Sequence, residues 1–335
     1  MKKNSLYILI VLIALLTMAC SCSLFSLPDF SNLQRVQGSG TVVSEERAID
    51  SVTEVQIDGS GTLHFVQGDE VKLIIEAEDN IIDRIKTSVV GNRLIIQPES
   101  NWFNLWITTK DIHYYLTLPS LEQLDAAGSI NVEMDTLTSE DLVISLSGSS
   151  NLTANQFETG NFDLSGSGSA DIKIDELDAE NLLASFSGSN NLVLGNAITN
   201  DVEINAGGSM SLNIMSLEAA EVKMDFSGSA DSFISELTAT SFDLKMSGST
   251  KFKIESGVVT EQTIDISGSG RYLAEGLKSE TVHISGGGSA DATLWATEEL
   301  RIDVAGSSRI SYYGSPTVEQ FTAGSSDIHS LGEKD

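Results

Sequence analysis

Apolar and polar side chains alternate along most of this chain, and the alternation restarts at a fixed interval. Leu142, Ile144 and Leu146 stand two residues apart, as do Val222, Met224 and Phe226, and Phe242, Leu244 and Met246. Each set ends two places before a glycine. A second set, such as Ile172 and Ile174, Leu192 and Leu194, or Phe252 and Ile254, lies four and six places after one. A period of two is that of a strand with one buried face. The framing glycines are Gly128, Gly148, Gly168, Gly188, Gly208, Gly228, Gly248, Gly268 and Gly288, spaced 20 residues apart and each followed by serine. Gly306 and Gly324 continue the series at a spacing of 18.

A further apolar residue often sits nine places after the glycine, as Leu137, Phe157, Leu177, Leu217, Leu237 and Leu277 do. Its odd offset breaks the alternation, so the chain turns a corner just before it. Each unit reads as two short strands, a bend at Gly-Ser, and a loop returning to the next unit. One such unit cannot bury its apolar face alone, whereas stacked copies share a continuous core. The predicted fold is all-β, a parallel β-solenoid or β-helix with one repeat of about 20 residues per rung. The crossover rule predicts a right-handed coil. A β-propeller would need two repeats per blade and a difference between odd and even repeats, which the sequence does not show.

The repeat glycine has the inward parity, which predicts that a side chain there would crowd a narrow interior at the bend. The serine after it is expected to stack on its copies and bond neighbouring backbone groups through its hydroxyl. Charges fit the same stacking. Asp225, Lys245 and Asp265 share one row, and Glu203, Lys223 and Asp243 share another, with signs alternating from rung to rung. Surplus acid gathers near the return loop, at residues such as Glu140, Asp141, Glu180 and Glu221.

The ends and the composition set the setting. Lys2 and Lys3 precede an apolar run from Leu6 to Leu16, too short to span a bilayer and typical of a signal-peptide core. Leu16-Thr17-Met18-Ala19-Cys20 resembles a bacterial lipoprotein cleavage box, which makes Cys20 the expected lipid attachment site and Cys22 the alternative. Acylation there predicts an exported protein held by its N-terminal lipid at the outer membrane or cell surface of the envelope. These are the only two cysteines, so no disulfide staples the body. The formal net charge of −29 argues against nucleic acid as a partner. The organisation read from these features is a signal peptide (1–19), a tether (20–37), an irregular solenoid start (38–127) and a regular solenoid (128–335).

Within the irregular part, Val55, Ile57, Leu63 and Phe65 keep the offsets of the later rungs around Gly59. The segment Asn101-Trp102-Phe103-Asn104-Leu105-Trp106 holds two of the three tryptophans. Trp102, Phe103 and Trp106 read as a cap over the open solenoid end, or as an aromatic platform for a glycan or a protein ligand. Several pieces here carry a likeness. They are Gly38-Ser39-Gly40, Glu46-Arg47, Val55-Gln56-Ile57-Asp58-Gly59-Ser60-Gly61, Gln67-Gly68-Asp69, Glu76 to Asn80, and the Leu-Pro-Ser-Leu-Glu-Gln-Leu run from Leu118 to Leu124. In this order, with the repeats behind them, they resemble the auto-transporter adhesin head domain, also called the GIN domain, a bacterial envelope family of unknown function. The resemblance covers residue 38 onward. It implies β-helical architecture and export, often with a lipid anchor, and it supplies no catalytic motif.

The residues offer little catalytic chemistry. His64, His113, His283 and His329 are scattered without metal-ligand spacing, so neither a metal nor a cofactor is expected. Asp171, Asp231 and Asp291 recur only every third rung, too far apart to share a calcium ion. A polysaccharide lyase or hydrolase would need focused carboxylates, and only Glu99 to Lys110 breaks the regularity enough to hold them. A polymer or ice binder would need flat threonine ladders, where the outward rows instead carry charges. The sequence therefore points to a non-catalytic, lipid-anchored adhesion or interaction scaffold, with a carbohydrate-active β-helix enzyme or a repetitive-surface (polymer or ice) binder as the alternative.

Overall fold

The computed structural model describes residues 34–99 and 104–334, with side chains from 36–99 and 108–334. The strands before the regular repeats are β1 (Gln34–Gln37), β2 (Val42–Arg47), β3 (Glu54–Gln67), β4 (Lys72–Glu78), β5 (Ile85–Val90), β6 (Arg93–Pro98), β7 (Asn104–Ile107) and β8 (His113–Leu118). The wound strands that follow are β9 (Gln123–Gly148), β10 (Asn151–Gly268), β11 (Arg271–Gly288), β12 (Asp291–Gly306), β13 (Arg309–Tyr313), β14 (Thr317–Gly324) and β15 (Asp327–Gly332). They fall into two units. In one, β1 pairs in parallel with β7, with Gln34 opposite Asn104 and Gln37 opposite Ile107. This strand lies in the stretch that the sequence reads as tether. The other unit is a parallel β-solenoid, and β10 alone winds through several of its turns.

Stacking keeps a register of 20 residues, from Asn151 opposite Asn131 to Gly168 opposite Gly148, and again from Lys251 opposite Arg271 to Gly268 opposite Gly288. Burial shows how one turn is folded. After Gly148 the inward residues are Ser150, Leu152 and Ala154, then Phe157 and Thr159, then Phe162, Leu164 and Gly166. Alternation breaks at Asn155-Gln156 and again at Gly160-Asn161, where two successive side chains stay out of the core. Each break is a corner. The coil therefore has three paired sides, and the segment expected to be a return loop is the short third side, with Gln156 opposite Thr136 and Thr159 opposite Ser139. Periodicity missed it because two inward positions are too few to display a period of two.

The core is a column of apolar side chains with aromatic rings where the turn is widest. Phe157 meets Phe162 edge-on at 5.5 Å within one turn. Phe252 lies 5.8 Å from both Phe226 and Phe242 and 6.4 Å from Tyr272, which links successive turns. Tyr272 is fully buried, and burial pushes its phenol well above the usual range. Its hydroxyl donates to Gln262 Oε1 at 2.6 Å, and Gln262 in turn donates to the buried Ser279. These groups satisfy one another inside an otherwise apolar interior, as buried polar groups must.

The first turn is β3, which keeps Gly59 over Gly128 and Val55 over Leu124 in parallel with β9. Beyond it the pairing reverses. β6 and β8 lie parallel to β3, but β5 runs antiparallel to β6, β4 antiparallel to β8, and β2 antiparallel to β4. The antiparallel strands finish this edge, and Ile81, Ile82 and Ile85 fill the space beneath it from a single 3-10 turn at Ile82–Arg84. Trp102 and Phe103 lie outside the described residues, and Trp106 sits in β7. Near the other end the turn shortens to 18 residues, because three positions are lost between Leu273 and Lys278 and one is regained between Ser279 and Thr281. Leu273 still faces Thr293, but Lys278 faces Trp295 and Glu299 faces Thr281.

Candidate functional site

The repeat glycines form one corner of the coil, and their backbone explains the invariance of the repeat. From Gly128 to Gly324 their φ angles lie between +78° and +117°, a region that side chains disfavour. A Cβ on any of them would sit 2.3 to 2.7 Å from the carbonyl oxygen of the glycine in the preceding turn. The glycine itself is exposed, so the expectation of a crowded interior is corrected: the obstacle is the backbone of the neighbouring turn. The corner is closed by main-chain groups, since the amide of Ser149 donates to Gly128 O at 2.7 Å and that of Ser289 to Gly268 O at 2.8 Å. Side-chain help comes one residue later than expected. Ser150 Oγ donates to Ser147 O and Asn190 Nδ2 to Ser187 O, both at 2.9 Å.

The serines after the glycines, from Ser129 to Ser325, are all exposed. They form a row of hydroxyls repeating at the strand spacing of about 4.8 Å. Shallow open grooves run along both flanks. One is lined by Ser169, Ser189 and Ser209 with Asp171 and Asn191, and the other by Ser187 and Ser227 with Asn205 and Asp225. Such a surface offers hydrogen-bond donors and acceptors to an extended polar ligand. Charged rows flank it, though the closed ion pairs differ from the expected rows. Lys251 meets Asp231 at 3.8 Å and Arg271 meets Asp291 at 3.5 Å, three places after the glycine. Further round, Asp303 is held below the usual carboxylate range by Arg301 at 2.8 Å and His283 at 3.1 Å. His283 and Arg301 thus share the Asp303 carboxylate.

Two clusters escaped the sequence reading because their members are far apart in the chain. The first joins pieces of the Gly-Ser-Gly and Glu-Asp-Asn segments. Glu78, only 1% exposed, accepts from the amide of Gly40 at 2.7 Å, the amide of Thr109 at 3.0 Å and the Thr109 hydroxyl. Gly38 packs where any Cβ would strike that carboxylate, and Ser39 bonds to Asp79 and Asn80. The Thr109 hydroxyl, followed by the backbone amides, pulls the Glu78 pKa below its ordinary 4.5 against the effect of desolvation. A depressed carboxylate stabilises the fold above its unfolded pKa and loses that contribution as pH falls through the folded value. Glu78→Gln should therefore be less stable than the parent at neutral pH, with the gap shrinking below pH 4.5. Urea melts at several pH values check this. A gap unchanged down to pH values where the parent's carboxylate is protonated would contradict it.

The second cluster lies on the outer face of β3, β8 and β9. His64 Nδ1 is 2.9 Å from Glu133 Oε2, and His64 Nε2 is 3.0 Å from His113 Nδ1. The Tyr115 ring stacks on His64 at 4.8 Å. The histidines are 49 residues apart, and only the parallel pairing of β3 with β8 brings them together. Of the residues singled out from sequence, Cys20, Cys22, Trp102 and Phe103 lie outside the described residues. Trp106 lies in β7 opposite Val36. The third tryptophan, Trp295, is covered by the ammonium groups of Lys278 at 5.8 Å and Lys334 at 5.2 Å.

Among the described residues, no helix is long and apolar enough to cross a membrane. No curated protein matches the chain. Among solved structures, it is similar to a putative adhesin from Parabacteroides merdae, at 16% identity over 89% of this chain and 99% of that one, with a TM-score of 0.42. A putative lipid binding protein from Parabacteroides distasonis is 18% identical over 89% of this chain and 100% of that one, with a TM-score of 0.38. A putative adhesin from Bacteroides fragilis is 17% identical over 89% of this chain and 99% of that one, with a TM-score of 0.29. The family model described as "Putative auto-transporter adhesin, head GIN domain" matches residues 51–235 and again 202–316. The overlap of the two matches follows from the repeat, because turns one register apart present nearly the same pattern. Together they take in β3, the glycine ridge as far as Gly306 and most of the wound strands, and the chain belongs to this family.

Proposed function

We propose that the protein is an exported adhesion or interaction scaffold without catalytic activity, held at the envelope surface by lipid on Cys20. The observation that carries this reading is the uninterrupted exposed row from Ser129 to Ser325 with its shallow flanking grooves. Equivalent weak contacts repeated along one row suit an extended or multivalent ligand, where avidity replaces a deep pocket. A family name that refers to adhesins points the same way. The segment Trp102–Trp106 is the second proposed contact, through its aromatic side chains.

Two measurements test the proposal. Metabolic labelling with a fatty acid should mark the parent and leave a Cys20→Ala variant unlabelled; equal labelling of both removes the anchor at that residue. A glycan array should show binding by the parent, reduced at least about tenfold in a Trp102→Ala/Trp106→Ala variant that melts like the parent. A variant that binds normally but melts early makes the aromatic segment a cap. Turnover of any polysaccharide on the array would replace the scaffold reading with an enzyme.

A further inference from the structure

We propose that Lys251 and Arg271 form a seat for the single carboxylate of a glycan that ends in an acidic sugar. The site rests on the reading of the serine row as a contact surface, and names the class of ligand for one stretch of it. Three places after the ridge glycine, successive turns carry Asp231, Lys251, Arg271, Asp291, Arg309 and Asp327. The signs alternate at every step but one. Parallel pairing sets Lys251 directly opposite Arg271, whereas Arg271 faces Asp291, Asp291 faces Arg309 and Arg309 faces Asp327. Like charges opposite one another in neighbouring strands are destabilising. With 48 acidic residues against 19 basic ones, a cation set on a cation is also the rarer choice for this chain.

The acids on either side leave both cations with donors to spare. Lys251 Nζ lies 3.8 Å from Asp231 Oδ1, and Arg271 Nε lies 3.5 Å from Asp291 Oδ2. Both separations exceed the roughly 2.7–2.9 Å of a charge-assisted hydrogen bond. The two cationic side chains are 50% and 58% exposed, so an anion reaches them without any movement of the fold. Lys253, two places on, is instead held over the Phe233 ring at 5.4 Å and beside Glu255 at 3.8 Å.

Lys251 and Arg271 line an open groove together with Ser249, Ser269 and Ser289 of the exposed serine row. Thr250 lines it as well, and its buried hydroxyl finds no partner in the protein. Ser150 and Asn190, at the same place in their turns, donate to the carbonyls of Ser147 and Ser187. The ligand follows from this lining. A guanidinium forks onto a carboxylate through two parallel bonds, and the neighbouring ammonium adds a second charge. Serine hydroxyls both donate and accept, as the hydroxyls of a sugar ring require. Asp231 and Asp291 close the two ends of the cationic step, and the formal charge of −29 repels a polyanion. One carboxylate on an otherwise neutral glycan meets both conditions.

Calorimetric titration of the full chain with sialyllactose, which carries one carboxylate, and with neutral lactose tests this. The parent should bind sialyllactose at least about tenfold more tightly than lactose, and added salt should shrink the preference. Lys251→Gln and Arg271→Gln should each lower sialyllactose affinity by about tenfold and leave lactose affinity unchanged. Both variants should melt like the parent, since each relieves a like-charged pair and gives up only an exposed ion pair. Arg271→Lys keeps the charge without the fork and should recover only part of the loss. Lys173→Gln, which removes the same charge beside Asp175, should bind like the parent. Unchanged affinity in a folded Lys251→Gln/Arg271→Gln variant overturns the site. Tighter binding of polygalacturonate overturns the single carboxylate, and equal binding of a peptide through its C-terminal carboxylate overturns the glycan. A parent that ignores both sugars yet binds other glycans overturns this site alone, whereas one that binds no ligand removes the scaffold reading with it.

Discussion

Gly208→Val should be close to unfoldable, whereas Gly287→Ala should be nearly silent. Gly208 has a φ of +95°, and its Cβ would lie 2.4 Å from Gly188 O and 3.1 Å from Gly188 N. Neither atom can move away, because the Gly188 carbonyl belongs to the ladder that joins the two turns. The left-handed backbone costs about 1–2 kcal/mol for any side chain, and a β-branched one fares worst. Relieving the backbone overlap must also spread the turns, so the total should be on the order of 3–5 kcal/mol. Gly287 stands one residue before the ridge, has no atom within 4 Å of its Cβ position and does not appear among the glycines with positive φ. Urea melts of the two variants make the comparison. A Gly208→Val protein that melts within about 1 kcal/mol of the parent would mean that the ridge tolerates side chains and that another constraint sets the repeat.

The second large effect belongs to Phe252. Its ring joins Phe226, Phe242 and Tyr272, so truncation opens a void shared by several turns. Phe252→Ala should cost about 3–5 kcal/mol, near the upper range because backbone ladders on either side prevent the turns from collapsing inward. Loss of packing on Tyr272 should also loosen its bond to Gln262, so early exchange of the amides around Gln262 is expected along with the lower melting point. Phe252→Leu keeps most of the volume and should lose less than about 1.5 kcal/mol. Equal effects of the two substitutions would show that the cavity does not decide the cost. Because a solenoid is stabilised turn against turn, the damage should be greatest near the substituted turn.

Much of this architecture can be read from residues alone, for a physical reason. Alternation at Leu142, Ile144 and Leu146 reports which face is buried, and a constant interval reports what stacks on what. The parallel solenoid, its register and the place of the main corner follow directly. The third side does not, since Phe157 and Thr159 are its only inward residues in that turn. The role of the glycine was legible in kind but misplaced, because a steric conflict with a carbonyl in the preceding turn leaves no mark in a hydropathy pattern. The antiparallel finish at β2, β4 and β5 was equally hidden: alternation within a strand is the same whichever way its neighbour runs. Contacts such as Glu78 with Thr109, or His64 with His113, need the strand order before they exist at all.

The change from 20 to 18 residues per turn at β11 and β12 carries a consequence for how such a protein can vary. Three positions are lost at one corner and one is regained at the next, while Gly288 still lies over Gly306 and Val282 over Leu300. Inheritance can therefore trim or extend a corner without disturbing the neighbouring sides. It can also add or remove a whole turn, because the new junction would again set glycine on glycine. Length becomes a quantity that lineages can adjust in discrete steps, with the capped start left untouched. The reach of the molecule is then set by how many copies of one short phrase the gene contains.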